Sequence, residues 1–266
     1  MLDITTYLDE SQINNPGHLV VSGFYGTDQQ WTGLANDWKV GLGQRKGLHM
    51  TDLHWGGEAA KRRLPRLLAK LGALPHKHGL TPIYGAVKVS DYADLIAREP
   101  RHNNKVILNG YVICLTIIVV AMMEEIPAHA RIKLVCERQD YYQGLAEMYY
   151  RIFAKEMARR YPTRPYFESE MQYIEKGSSV LTQPSDFLSF AKTKYLDERG
   201  SRKDLWCRPI FGNKKPDEIL GGTHDRDTAR KVIAIILKAS KSRTSLYQAE
   251  EFYQDWRGEI NEKKLK

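Results

Sequence analysis

The 266-residue chain has only three cysteines, Cys114, Cys136 and Cys207, and no CxxC pair among them. An odd count without paired spacing argues against a disulfide framework. Two of the three lie in apolar runs, the pattern of buried thiols in a reducing compartment. GxxxxGK[ST], GxGxxG and GxSxG are all missing, so phosphate-loop, dinucleotide-loop and hydrolase-elbow chemistry lack support. The first residues, MLDITTYLDE, have neither the basic start nor the apolar stretch of a signal peptide, and a cytoplasmic location is the expectation. Internal repeats, low-complexity tracts and an obvious linker are also lacking.

Long hydrophobic runs are scarce too, with one exception at residues 106–123, VILNGYVICLTIIVVAMM. This run approaches the roughly 20 apolar residues of a membrane span. Asn109 interrupts it, two glutamates follow it, and no second run accompanies it. A helix that is apolar all round is also what a large domain places through its centre, and that is the expectation here.

What is present is an ordinary globular composition, 42% apolar and 27% charged. Lys and Arg number 40 against 32 Asp and Glu, a net charge of +8. The excess favours a polyanionic partner, DNA or RNA first among them.

Residues 3–9 alternate Ile4, Thr6 and Leu8 against Thr5, Tyr7 and Asp9, the period of a strand. Asn14, Asn15, Pro16 and Gly17 predict a turn, and HLVVSGFYG, from His18, predicts a second strand hairpinned to the first. Thr27 with Gln30 has the form of a capping box. It opens a helix with Trp31, Leu34, Trp38 and Leu42 on one face. GLHMTDLHW, from Gly47, reads as a third, short strand. Residues 56–79 predict a helix with Leu64, Leu67, Leu68 and Leu71 as its buried stripe. Lys61, Arg62, Arg63, Arg66 and Lys70 cover much of the remainder, and Pro65 marks a kink or the true start.

TPIYGAVKVSDY and ARIKLVCERQD predict two further strands, the first followed by a small helix and the long apolar one. An aromatic-rich helix from Tyr141 to about Arg160 comes next. YFESEMQYIEKGSS then suggests another strand, VLTQPSDFLSFAKTKYL a helix, and residues 226–239 and 246–260 a helical tail. Hairpin strands followed by strands interleaved with helices suggest one mixed α/β domain over residues 1–200. A basic helical C-terminal extension, residues 201–266, would pack on it.

Five places carry acids at or near the end of an element: Asp9 with Glu10, Asp52, Glu137, Asp140 and Asp186. Asp9 follows Tyr7, and Glu137 follows Val135, on one face of its strand. If those two strands are neighbours, both carboxylates leave the same edge, and Asp186, early in a helix, can supply a third. Oxygen-only clusters suit Mg²⁺ or Mn²⁺, and paired ions of this kind hold the attacking and leaving oxygens of a phosphodiester. Each acid taken singly also fits a turn or a helix N-terminus.

YLDES, the GF strand, WTGLANDWK, LHMTDL, GYVICL and LTQPSDFLSF occur in an order that resembles the bacterial and archaeal family catalogued as domain of unknown function 3800, whose members look like relatives of the RNase H-like nucleases. The resemblance covers roughly residues 4–195. Gln12 stands where that family has Gly, Thr182 intervenes in the late motif, and Ser185 replaces its Ala. It implies an RNase H-like mixed sheet flanked by helices and a site of Asp9, Glu10, Glu137 and Asp186. Asp9, Glu137, Asp186 and Asp52 would be the ligands of Mg²⁺ or Mn²⁺.

His49 and His54 flank Asp52, and His49 is placed to orient water or phosphate beside such a site. His76 and His78 form an H-x-H that reads as loop histidines rather than zinc ligands. Lys61, Arg62, Arg66 and Lys70 are candidates for contact with a nucleic-acid backbone, or simply the solvated face of their helix. The paired tyrosines Tyr141, Tyr142, Tyr149 and Tyr150 read as packing residues. The expected function is metal-dependent phosphodiester hydrolysis of nucleic acid, its alternative a non-catalytic module binding nucleic acid or protein on the same fold.

Overall fold

Period-two alternation in the strands divides the interior into two cores. In β2 (His18–Gly26), Leu19 and Val21 enter one core, while Val20 and Phe24 enter the other. A sheet that is apolar on both faces must be covered by helices on both, and it is. The computed structural model describes residues 1–11, 17–45, 47–50, 53, 58–93, 102–138, 143–197, 202–212, 214–227 and 229–230.

β1 (Leu2–Ser11) pairs antiparallel with β2, which pairs antiparallel with β3 (Thr81–Lys88). On its other side β1 runs parallel to β4 (Ala130–Glu137), from Leu2 opposite Ala130 to Leu8 opposite Cys136. Two short strands, β5 (Tyr166–Phe167) and β6 (Gln172–Ile174), both pair parallel with β4. β7 (Leu220–His224) closes the far side, parallel to β3, so the order is β5-β4-β1-β2-β3-β7.

Helix α1 (Asp28–Leu42) begins at the expected capping box. Thr27 N–H donates to Gln30 Oε1 (2.7 Å), Gln30 N–H donates to Thr27 Oγ1 (3.4 Å), and Trp31, Leu34, Trp38 and Leu42 are buried. α2 (Glu58–Lys77) buries Leu64, Leu68 and Leu71 and exposes Arg63, Arg66 and Lys70; it continues through Pro65. Together with α5 (Gln183–Asp197) these helices cover one face of the sheet. The other face is covered by α3 (His102–Glu125), with Ala146, Tyr150 and Ala154 of α4 (Gln143–Arg160) in the same core.

α3 is the inner helix expected of the long apolar run: Ile113, Cys114, Ile118 and Met122 have no exposure. It approaches β3 so closely that a Cβ on Gly85 would stand 2.2 Å from the Cys114 carbonyl oxygen. Among the described residues no helix is long and apolar enough to cross a membrane. All three cysteines are buried, and none of them forms a disulfide.

Three expectations are corrected. Residues 47–50 are not a strand. The N–H groups of Leu48 and Met50 donate to the Gln183 and Asp186 side chains instead of to a neighbouring strand. The strand expected from residue 166 is two, separated by residues 168–171. The segment after residue 201 is not simply a helical extension, since Arg202–Phe211 is 3-10 helix and Leu220–His224 is an edge strand of the main sheet. The turn at 14–16, Asp52, His54, Asp140, Tyr141, Tyr142, the side chains of Lys61 and Arg62, and the helices expected beyond residue 230 lie outside the described residues.

Candidate active site

The parallel pairing of β1 with β4 decides the site. Ile4 and Leu8 of β1, like Ile132, Leu134 and Cys136 of β4, enter the core under α3. Alternation therefore turns Asp9 and Glu137 to the opposite face, side by side at the ends of neighbouring strands. Both are buried, Asp9 with 6% of its surface exposed and Glu137 with 8%.

The N-terminal part of α5 lies across this face, held by serine hydroxyls. Ser185 Oγ donates to the Tyr7 carbonyl (2.8 Å) and Ser189 Oγ to the Asp9 carbonyl (2.7 Å), while Ser189 and Ser22 share a bond of 2.8 Å. Small side chains allow the helix to sit close, and their hydroxyls tie it to the backbone carbonyls of β1. The helix thereby brings Asp186, in its first turn, to the carboxylates of the two strands.

Each carboxylate has one oxygen held by a protein donor. Glu10 N–H donates to Asp9 Oδ1 (2.9 Å), and Thr182 Oγ1 donates to Glu137 Oε1 (2.7 Å). Met50 N–H donates to Asp186 Oδ2 (2.8 Å), with His49 Nδ1 3.3 Å from the same oxygen. Gln183 Oε1 fixes the surroundings by accepting from Trp38 Nε1 (2.9 Å) and Leu48 N–H (3.0 Å).

Burial pushes the Asp9 carboxyl well above the usual carboxylate range, and the Glu10, Asp186 and Glu137 carboxylates push it further. The Glu10 N–H bond opposes this. Asp186 is also raised, by burial first; the Met50 N–H bond, His49 and Lys176 pull it down, while Glu137 pushes it up. The charges acting on Asp9 are thus carboxylates, whereas His49 and Lys176 partly relieve Asp186.

Of the residues expected to form the site, Asp9, Glu137 and Asp186 come together and His49 joins them. Glu10 acts on Asp9, but alternation places it on the α3 face of β1. Arg66 and Lys70 are exposed on α2. Thr182 and Ser185 escaped the sequence reading as site residues. Thr182 sits where a helix start is signalled by Pro184, and its carbonyl accepts from Ser185 N–H (2.9 Å) and Asp186 N–H (3.0 Å).

An all-oxygen, buried set of carboxylates has the donor chemistry of a hard divalent cation. As they stand, no three or more His, Cys, Asp or Glu among the described residues are arranged to hold a metal ion. The fold and site define an α/β protein with a mixed sheet flanked by helices and a buried carboxylate cluster where β1, β4 and α5 meet. In comparisons with known proteins, no family model matches the chain and no curated protein matches it.

Proposed function

We propose that the chain is a divalent-cation-dependent phosphodiesterase acting on nucleic acid, an RNase H-like nuclease of the kind its motifs resemble. The observation that carries this reading is the meeting of buried Asp9 and Glu137 with part-buried Asp186, from three elements far apart in sequence, in one place. Burying several carboxylates together opposes folding unless a cation or protons compensate them. The net charge of +8 supports a polyanionic substrate.

Asp9, Glu137 and Asp186 would hold Mg²⁺ or Mn²⁺, with Asp52 as a further candidate. When bound, such an ion acidifies water and neutralises charge at the phosphoryl oxygens. Thr182 orients Glu137, Met50 N–H orients Asp186, and Glu10 N–H orients Asp9. His49, beside Asp186, is placed to position the phosphate or the water.

The test is cleavage of labelled single- and double-stranded DNA and RNA while Mg²⁺ and Mn²⁺ are titrated. At least one substrate is expected to be cut in a metal-dependent way, with Asp9→Asn and Asp186→Asn inactive. An Asp9→Asn protein that cleaves at the parental rate sinks the reading. The second reading, a binding module without turnover, is favoured by the lack of a ready three-ligand group among the described residues. Tight binding with no cleavage under any metal condition would establish it.

A further inference from the structure

β6 ends beside the site, with Ile174 in register with Glu137 and its carbonyl accepting from Arg138 N–H (2.9 Å). The chain then makes a tight turn, Glu175 to Ser178. Ser178 N–H (3.0 Å) and Ser178 Oγ (2.6 Å) both donate to the Glu175 carbonyl. Gly177, the third residue of the turn, has φ +72°, a conformation that favours glycine. A Cβ there would meet nothing within 4 Å, so backbone conformation and not packing calls for the glycine.

This turn is tied to the site on both sides. Before it, the Arg138 guanidinium, next in sequence to Glu137, pairs with the Glu175 carboxylate. After it, the Ser179 carbonyl accepts from Thr182 Oγ1 (3.3 Å), the hydroxyl that also donates to Glu137. Lys176 is the second residue of the turn. Its side chain is exposed, it has no ion-pair partner among the described residues, and its charge reaches Asp186. An ammonium held beside a carboxylate cluster, yet paired with none of its members, is suited to an anion arriving from solvent.

We propose that Lys176, presented by the Glu175–Ser178 turn, binds a backbone phosphate of the nucleic-acid substrate at the mouth of the carboxylate site, an inference that rests on the phosphodiesterase reading above. Arg138 is committed to Glu175 and so stiffens the presenting turn. A flexible lysine contributes a point charge rather than a fixed fork, which fits a contact to a phosphate and not to a base.

The experiment compares parent, Lys176→Gln, Lys176→Arg and, as a control for net charge, Lys39→Gln, in steady-state cleavage of a labelled oligonucleotide at several salt concentrations. Lys176→Gln is expected to raise KM about tenfold with kcat near parental, as loss of one charge-assisted contact should. Its log–log salt dependence should be shallower by about one unit, the share of one phosphate contact. Lys176→Arg should stay near parental, and Lys39→Gln should change neither quantity. Gly177→Ala should raise KM and leave the salt slope alone, because it loosens the turn without removing charge. If the parent cleaves and Lys176→Gln matches it in KM and slope, this inference falls and the phosphodiesterase reading stands. If the parent neither binds nor cleaves any of the nucleic acids, both fall.

Discussion

Lys192 brings its ammonium into the core of the α5 face with no exposed surface. Nζ donates to the Pro216 carbonyl (2.7 Å), lies 3.8 Å from the centre of the Tyr84 ring and 3.8 Å from Asp217 Oδ1. These contacts do not replace water fully, and burial pushes its pKa down from 10.5 to about 8. The folded pKa is the lower one, so between these values the unfolded chain holds a proton that the folded chain has lost. Stability from this group therefore rises with pH, by up to about 1.4 kcal/mol per pH unit. The buried thiols of Cys114 and Cys136 are raised and work in the opposite direction, but equally in any Lys192 variant. The unfolding free energy of the parent minus that of Lys192→Met should thus increase by roughly 1–2 kcal/mol from about pH 8 to about pH 9.5. Urea melts at several pH values measure it, and a difference that stays flat would return Lys192 to an ordinary pKa.

At the scale of elements, the same apolar content serves different ends. α3 is buried from both sides, by β2 and β3 on one and by α4 on the other, and Ile117 is 7% exposed. Ile117→Asp should cost about 3–5 kcal/mol or prevent folding, because the carboxylate would be buried without a partner. Stability equal to the parent's in a denaturant melt would remove α3 from the core. α2 is the contrasting case, buried along Leu64, Leu68 and Leu71 and exposed at Arg66 and Lys70. Replacing Lys61, Arg62, Arg66 and Lys70 together by Gln should leave folding stability within about 1 kcal/mol of the parent. It should weaken nucleic-acid binding and flatten its salt dependence, since each phosphate contact releases counterions. An unchanged salt slope would make this face a solvated one and nothing more.

For the whole molecule, the proposed cation site would link folding to cations. A cation that binds the folded chain alone stabilises it by about 2.7 kcal/mol at a hundred times its dissociation constant. For a chain of this size that is a Tm rise of roughly 5–10 °C. Mg²⁺ or Mn²⁺ should raise the parent's Tm accordingly, and Asp9→Asn or Asp186→Asn should abolish the gain. Without metal, Asp9→Asn should melt no lower than the parent, because it removes one of several crowded, desolvated carboxylates. Asp227→Asn, at an exposed position, should retain the metal response. A parental gain in the Asp9→Asn protein would place cation binding elsewhere.

What the sequence determined by itself is local. The capping box of α1, the β1–β2 hairpin, the burial of α3 and the placing of Asp9 and Glu137 at strand ends follow from side-chain period and turn chemistry within a few residues. The same period put the two acids on matching faces of their strands. Only the tertiary structure decided that β1 and β4 are neighbours, more than a hundred residues apart, and that α5 is held across them by Ser185 and Ser189. Leu48 and Met50 alternate as a strand would, yet their amides are taken by Gln183 and Asp186, partners that lie in another part of the chain. LGGTH, with two glycines and a single large apolar side chain, carries almost no strand pattern, and β7 forms because β3 offers it an unpaired edge. Hydrogen-bond partners in a sheet are chosen by whichever backbone lies alongside, so the pairing that makes the site is a property of the folded chain.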